Sequence, residues 1–85
     1  MAQVKVYIWT SCPYCLRACS LLDDKNVSYE KIILDGKNSE LSALRQKTGH
    51  RTVPQIFINE EFIGGYDDLA ALESSGNLDK MLGNS

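Results

Sequence analysis

A strand that runs almost directly into a helix is written near the start of this chain. Val4, Val6 and Ile8 alternate with Lys5, Tyr7 and Trp9, the period of two expected of a half-buried strand. Pro13 follows after a short gap, and Leu16, Cys19 and Leu22 then recur at roughly helical spacing. Proline suits the first position of a helix because its missing N–H would be unpaired there anyway. A strand from Val4 to Trp9 and a helix from Pro13 to Lys25 make a crossover, which returns the next strand parallel to the first. Val27 to Leu34, with Tyr29, Ile32, Ile33 and Leu34, supplies that strand, and Asp35-Gly36 is a turn pair that ends it.

The second half of the chain reads differently. Ser39 to Lys47 is expected to be helical, with Leu41 and Leu44 one turn apart and Gly49 at its C-terminal end. Pro54 to Asn59 sets Ile56 and Ile58 against Gln55 and Phe57 as a third strand, and Phe62-Ile63 returns as its antiparallel partner before Gly64-Gly65. A helix then starts at Asp67 and carries Leu69 and Leu72; Leu78, Met81 and Leu82 form a last helical stripe. The order β-α-β-α-β-β-α predicts an α/β fold: a four-stranded mixed sheet with helices on both faces. Its 85 residues hold neither repeat nor linker and are read as one domain, residues 1–85.

Composition narrows the function classes. An apolar content of 44% describes a folded chain rather than a disordered one. The net charge of −2 comes with no basic stripe, so nucleic acid is not the expected partner. Met1 to Lys5 lack the charged region and long apolar run of a leader, and no segment has the apolar length of a membrane span. Three cysteines are an odd number and too few for a disulfide-stapled scaffold, so a reducing cytoplasm is expected.

Two of those cysteines lie in Cys12-Pro13-Tyr14-Cys15, at the seam between the first strand and helix. Cys12 then occupies the N-cap and faces free backbone N–H groups at the positive end of the helix dipole. That setting favours the thiolate, the reactive form of cysteine. Cys15 falls one turn later, near enough for the sulfurs to bond. Cys12, nearer solvent, is read as the attacking nucleophile and Cys15 as the resolving thiol. Cys19 lies seven helical residues beyond Cys12, about 10 Å of rise, outside the ~7 Å Cα limit for an unstrained disulfide. It is read as a small buried hydrophobe, with a modulating role as the alternative. A CxxC can also be half a zinc site, but only Cys19 and His50 remain as further ligands and no second CxxC exists. No metal is expected.

Three segments carry a family resemblance. Cys12-Pro13-Tyr14-Cys15, Thr52-Val53-Pro54-Gln55-Ile56-Phe57-Ile58 and Gly64-Gly65-Tyr66-Asp67-Asp68-Leu69, in this order and spacing, resemble the glutaredoxins, the small bacterial dithiol members most closely. The resemblance implies a thioredoxin fold and glutathione-dependent thiol–disulfide oxidoreductase activity on protein disulfides and glutathionylated proteins. Glutathione would be reductant and co-substrate, with no tightly bound cofactor and a monomeric protein. It implies a cis bond before Pro54 and a glutathione groove of Cys12, Pro13, Tyr14, Thr52, Val53, Pro54, Gly65, Tyr66, Asp67 and Asp68. Val53 would pair with the tripeptide as an added strand, and the γ-glutamyl end would meet the helix start and an acid of the Asp67-Asp68 pair. Two positions depart from the family pattern: Trp9 stands where many members carry a lysine, and Tyr66 where cysteine is common. His50, Arg51 and Arg45 could compensate, but are read here as solvated side chains near a turn. Two alternatives stay open: a thioredoxin-like carrier reduced by a flavoprotein reductase, and a dimer whose Cys12 and glutathione ligate a [2Fe–2S] centre.

Overall fold

The structure, a computed structural model, describes residues 3–83. Met1 and Ala2, used in the leader argument, and the last two residues of the expected domain lie outside the described residues. The elements are β1 (Val4–Ile8), α1 (Pro13–Asp24), β2 (Glu30–Ile33), α2 (Asn38–Thr48), β3 (Gln55–Ile58), β4 (Glu61–Gly64), α3 (Tyr66–Ser75) and α4 (Asn77–Leu82).

The sheet order is β2-β1-β3-β4. β1 and β2 are parallel, with Tyr7 opposite Ile32, as the crossover through α1 requires. β3 runs antiparallel to β1, with Val6 opposite Ile56, and β4 folds back on β3, with Phe57 opposite Phe62. This is the mixed four-stranded sheet expected from the element order.

Helices cover both faces, and β3 explains why. Successive strand side chains point to opposite faces, so Gln55 and Phe57 share one and Ile56 and Ile58 the other. α2 covers the first: Thr48 reaches Gln55 at 2.9 Å, and Lys47 Nζ stands 5.5 Å from the Phe57 ring centroid. The fully buried Leu22 of α1, Leu69 of α3 and Leu78 of α4 join Ile56 and Ile58 in the core. Lys25, just past α1, pairs with Glu73 at 2.5 Å and Asp79 at 2.9 Å, tying the end of α1 to α3 and α4.

All four residues of β3 are buried, Gln55 and Phe57 as well as Ile56 and Ile58, because a central strand between two helix layers has no solvated side. Three expected boundaries need correction. Val27 to Tyr29 lie outside β2; the Tyr29 hydroxyl instead donates to Asp23 at 2.9 Å, which holds this segment against α1. β4 continues through Gly64, and α3 begins at Tyr66 rather than Asp67. Among the described residues no helix is long and apolar enough to cross a membrane.

Candidate active site

Cys12 is the N-cap of α1, with extended backbone angles of −109° and 114°. Its Sγ accepts the backbone N–H of Cys15 at 3.3 Å, one of the donors that a helix start leaves unpaired. An N–H aimed at sulfur is a contact that a thiolate accepts better than a thiol does. On its other side Cys12 Sγ faces the carbonyl of Val53 at 3.8 Å.

Cys15 lives in a different environment. It is fully buried while Cys12 is half-buried. Burial, followed by the hydrogen bond and charge of Cys12, pushes the Cys15 thiol up from 9.0 to about 12, while a backbone hydrogen bond with Trp9 pulls the other way. Cys15 is therefore protonated at neutral pH. Cys19 is buried too, and its carbonyl takes the Tyr29 hydroxyl at 3.4 Å. Burial pushes the ionisation of that phenol above the ordinary tyrosine range, reinforced by its hydrogen bonds to Asp23 and Cys19. The small-hydrophobe reading of Cys19 matches its surroundings.

Two fastenings hold the loops that meet at Cys12. Before α1, the Thr10 backbone N–H donates to Asp35 Oδ1 at 3.0 Å and the Thr10 hydroxyl donates to Asp35 Oδ2. These bonds hold the Asp35 carboxyl below its usual range. Before β3, the Val53–Pro54 bond is cis. Gln55 Nε2 donates to His50 O at 2.7 Å and to Thr52 O at 3.1 Å. Arg45 Nε donates to Arg51 O at 2.8 Å.

Beside Cys12 opens a groove of about 290 Å³, lined by Tyr14, His50, Thr52, Val53, Pro54, Gly65, Tyr66, Asp67 and Asp68. Eight of the ten positions named from the resemblance thus share one concavity. Pro13 is exposed at the first turn of α1, outside the lining, and Cys12 adjoins it through Val53. His50, expected as a solvated side chain near a turn, is half-buried, its ring 5.7 Å from Phe62 and its Nε2 3.5 Å from Thr52 Oγ1. Arg45 and Arg51 are not lining residues. Position 50 carried no pattern that separates a groove residue from a turn residue. Tyr66 replaces a small wall with an aromatic one, its ring 6.4 Å from that of Tyr14.

At the far wall the two acids do different things. Asp68 Oδ2 accepts the Gly65 N–H at 3.1 Å and so closes the start of α3. Asp67 is exposed with no such bond. Gly64, at φ +129°, has no room for a side chain: a Cβ there would lie 2.1 Å from Asp68 Oδ2. Among the described residues no three His, Cys, Asp or Glu side chains gather as a metal-ligating group.

Known proteins resemble this chain in sequence and in fold. The glutaredoxin family model matches residues 4–63. The chain is 45% identical over 82 residues to glutaredoxin 3 of Escherichia coli strain K12, covering 96% of this chain and 99% of that protein. It is 48% identical to a Pseudomonas aeruginosa glutaredoxin, covering 96% and 98%. Among solved structures, a buckwheat glutaredoxin–glutathione complex superposes with a TM-score of 0.93 at 36% identity, covering 96% of this chain and 77% of that one. A Brucella melitensis glutaredoxin gives 0.88 at 38% identity, covering 99% and 91%. With its thioredoxin fold and CxxC seam, the chain belongs to the glutaredoxin family.

Proposed function

We propose that this protein is a glutathione-dependent thiol–disulfide oxidoreductase that reduces glutathionylated proteins and protein disulfides. The observation that carries the reading is the pairing of Cys12 Sγ with the Cys15 N–H beside the Val53 carbonyl, at the end of the groove. The buckwheat relative was solved with glutathione, which supports the same ligand here. The reading places the protein in the cytoplasm as a monomer.

The steps follow from thiol–disulfide exchange. Cys12 thiolate attacks the glutathione sulfur of a mixed disulfide; the Cys12–glutathione bond forms and the protein thiolate leaves, taking a proton from solvent. A second glutathione thiolate attacks the sulfur of the bound glutathione, releasing glutathione disulfide and restoring Cys12 thiolate. With a protein disulfide, Cys12 first becomes joined to one protein sulfur. Cys15 then attacks Cys12 Sγ, forming the Cys12–Cys15 bridge, and its proton passes to the departing protein thiolate. Two glutathione molecules reopen the bridge and leave as glutathione disulfide.

Cys15 is suited to wait. Part of its resistance to ionisation comes from the charge of Cys12, and that part disappears once Cys12 is neutral in a mixed disulfide. In the groove, Val53 offers backbone to the tripeptide, the start of α3 receives the γ-glutamyl carboxylate, and Asp67 receives its ammonium. Tyr14, Thr52, Pro54, Gly65 and Tyr66 form the walls, with Pro13 setting the first turn and Asp68 capping α3.

The test is chemical. Cys15→Ser protein incubated with glutathione disulfide should gain the mass of one glutathionyl group, located at Cys12. No adduct, or an adduct at Cys19, contradicts the proposal.

A further inference from the structure

Among the described residues, Gln55 is the one charged or polar residue in the buried core, with a fully enclosed side chain. Both ends of its carboxamide are used. Nε2 donates to the carbonyls of His50 and Thr52, and Oε1 lies 2.9 Å from the Thr48 hydroxyl. That hydroxyl also lies 3.0 Å from Leu44 O and accepts the His50 N–H at 3.1 Å. Residues 49–54 between α2 and β3 belong to no helix or strand, so these side-chain bonds do the work a ladder would do elsewhere.

The pattern has a direction. The carbonyls of His50, Arg51 and Thr52 are each claimed by a donor from the protein, Arg51 through Arg45. Next in line is Val53: its carbonyl faces Cys12 Sγ, and its N–H has no partner among the described residues. Rotating the preceding peptides would turn Val53 away from the sulfur. Only a neutral amide of this length supplies two donors and one acceptor to that set.

We propose that Gln55 is a positioning residue. It touches no substrate; its carboxamide holds the Val53 peptide in place beside Cys12 and so sets how well the groove takes a glutathionyl group. This inference rests on the glutathione reading above. A carboxylate at position 55 would face two carbonyl oxygens and repel both, whereas its neutral acid form can donate one O–H and keep the Thr48 contact. Gln55→Glu is therefore expected to be a conditional lesion.

The experiment measures KM and kcat for a glutathionylated peptide, with glutathione as reductant, for the parent and Gln55→Glu at pH 8 and pH 6. The rate at which iodoacetamide, which needs no groove, alkylates Cys12 is read alongside. At pH 8 the variant's KM should rise up to about tenfold over the parent's, the scale of one lost hydrogen bond to the ligand. Its kcat and alkylation rate should stay within about twofold, and the KM ratio should narrow at pH 6. A merely structural lesion would lower the melting temperature without that split or that narrowing. Gln55→Met, similar in volume and unable to protonate, is the second arm: it should raise KM equally at both pH values, and it carries the test if Gln55→Glu does not fold. Folded variants with the parent's KM overturn the inference, as does a parallel fall in kcat, alkylation rate and affinity. A parent without glutathione-dependent turnover overturns the glutathione reading itself.

Discussion

The backbone N–H of Cys15 donates to Cys12 Sγ at 3.3 Å, while the Cys15 thiol is shut into the core. Two cysteines three positions apart therefore have opposite surroundings. One sulfur meets a helix-terminal donor and solvent; the other meets apolar walls and its partner.

That asymmetry has a pH signature. The Cys15 thiol is raised in the folded protein from 9.0 to about 12, so the folded state holds a proton that the unfolded chain gives up first. Stability from this group is complete below pH 9 and is lost as pH rises towards 12, with a slope of at most about 1.4 kcal/mol per pH unit. Melting curves of reduced protein between pH 8 and 10.5 should fall more steeply for the parent than for Cys15→Ala. Parallel curves would contradict the burial assigned to Cys15.

Gly64 should tolerate no side chain. Its φ of +129° and the 2.1 Å approach of a Cβ to Asp68 Oδ2 act together. Gly64→Ala is expected to cost about 2 kcal/mol or more, and to widen or tilt the groove wall by displacing Asp68. Thermal unfolding and glutathione KM check both effects.

The neighbouring acids should separate. Asp68 is engaged with the Gly65 N–H, so Asp68→Ala should lower Tm by a few degrees. Asp67 lines the groove without that bond. Asp67→Ala should keep Tm within about a degree and raise the glutathione KM severalfold, the scale of one charge-assisted hydrogen bond. Equal effects from the two variants would contradict this division.

Much of this was legible in the residues because local rules and the global fold agree. The Val4–Ile8 alternation, Pro13 at the first turn of α1 and Gly49 in the left-handed conformation at the end of α2 each appear as the local chemistry requires. What escaped depended on tertiary contacts. Period-two alternation gave Gln55 a different face from Ile56, but whether that face is wet depends on α2, which Thr48 and Lys47 bring over it. His50 read as a turn residue because its enclosure comes from Phe62 and Gly65, distant in sequence. The shortening of β2 reflects Tyr29 bonding back to α1, a choice invisible in strand propensity. Of the site itself, the three motif segments hold eight of the nine lining positions; the polar fastening behind Val53 left no motif to read.

The decisive measurement is glutathione-coupled turnover by the parent, Cys12→Ser and Cys15→Ser on two substrates, a glutathionylated peptide and a protein disulfide. Cys12→Ser should fall to the uncatalysed rate on both, a loss of about 1,000-fold or more. Cys15→Ser should stay within a few-fold of the parent on the glutathionylated peptide and lose the protein disulfide. Equal loss of both activities in Cys15→Ser, or turnover surviving in Cys12→Ser, would contradict the roles given to the two sulfurs.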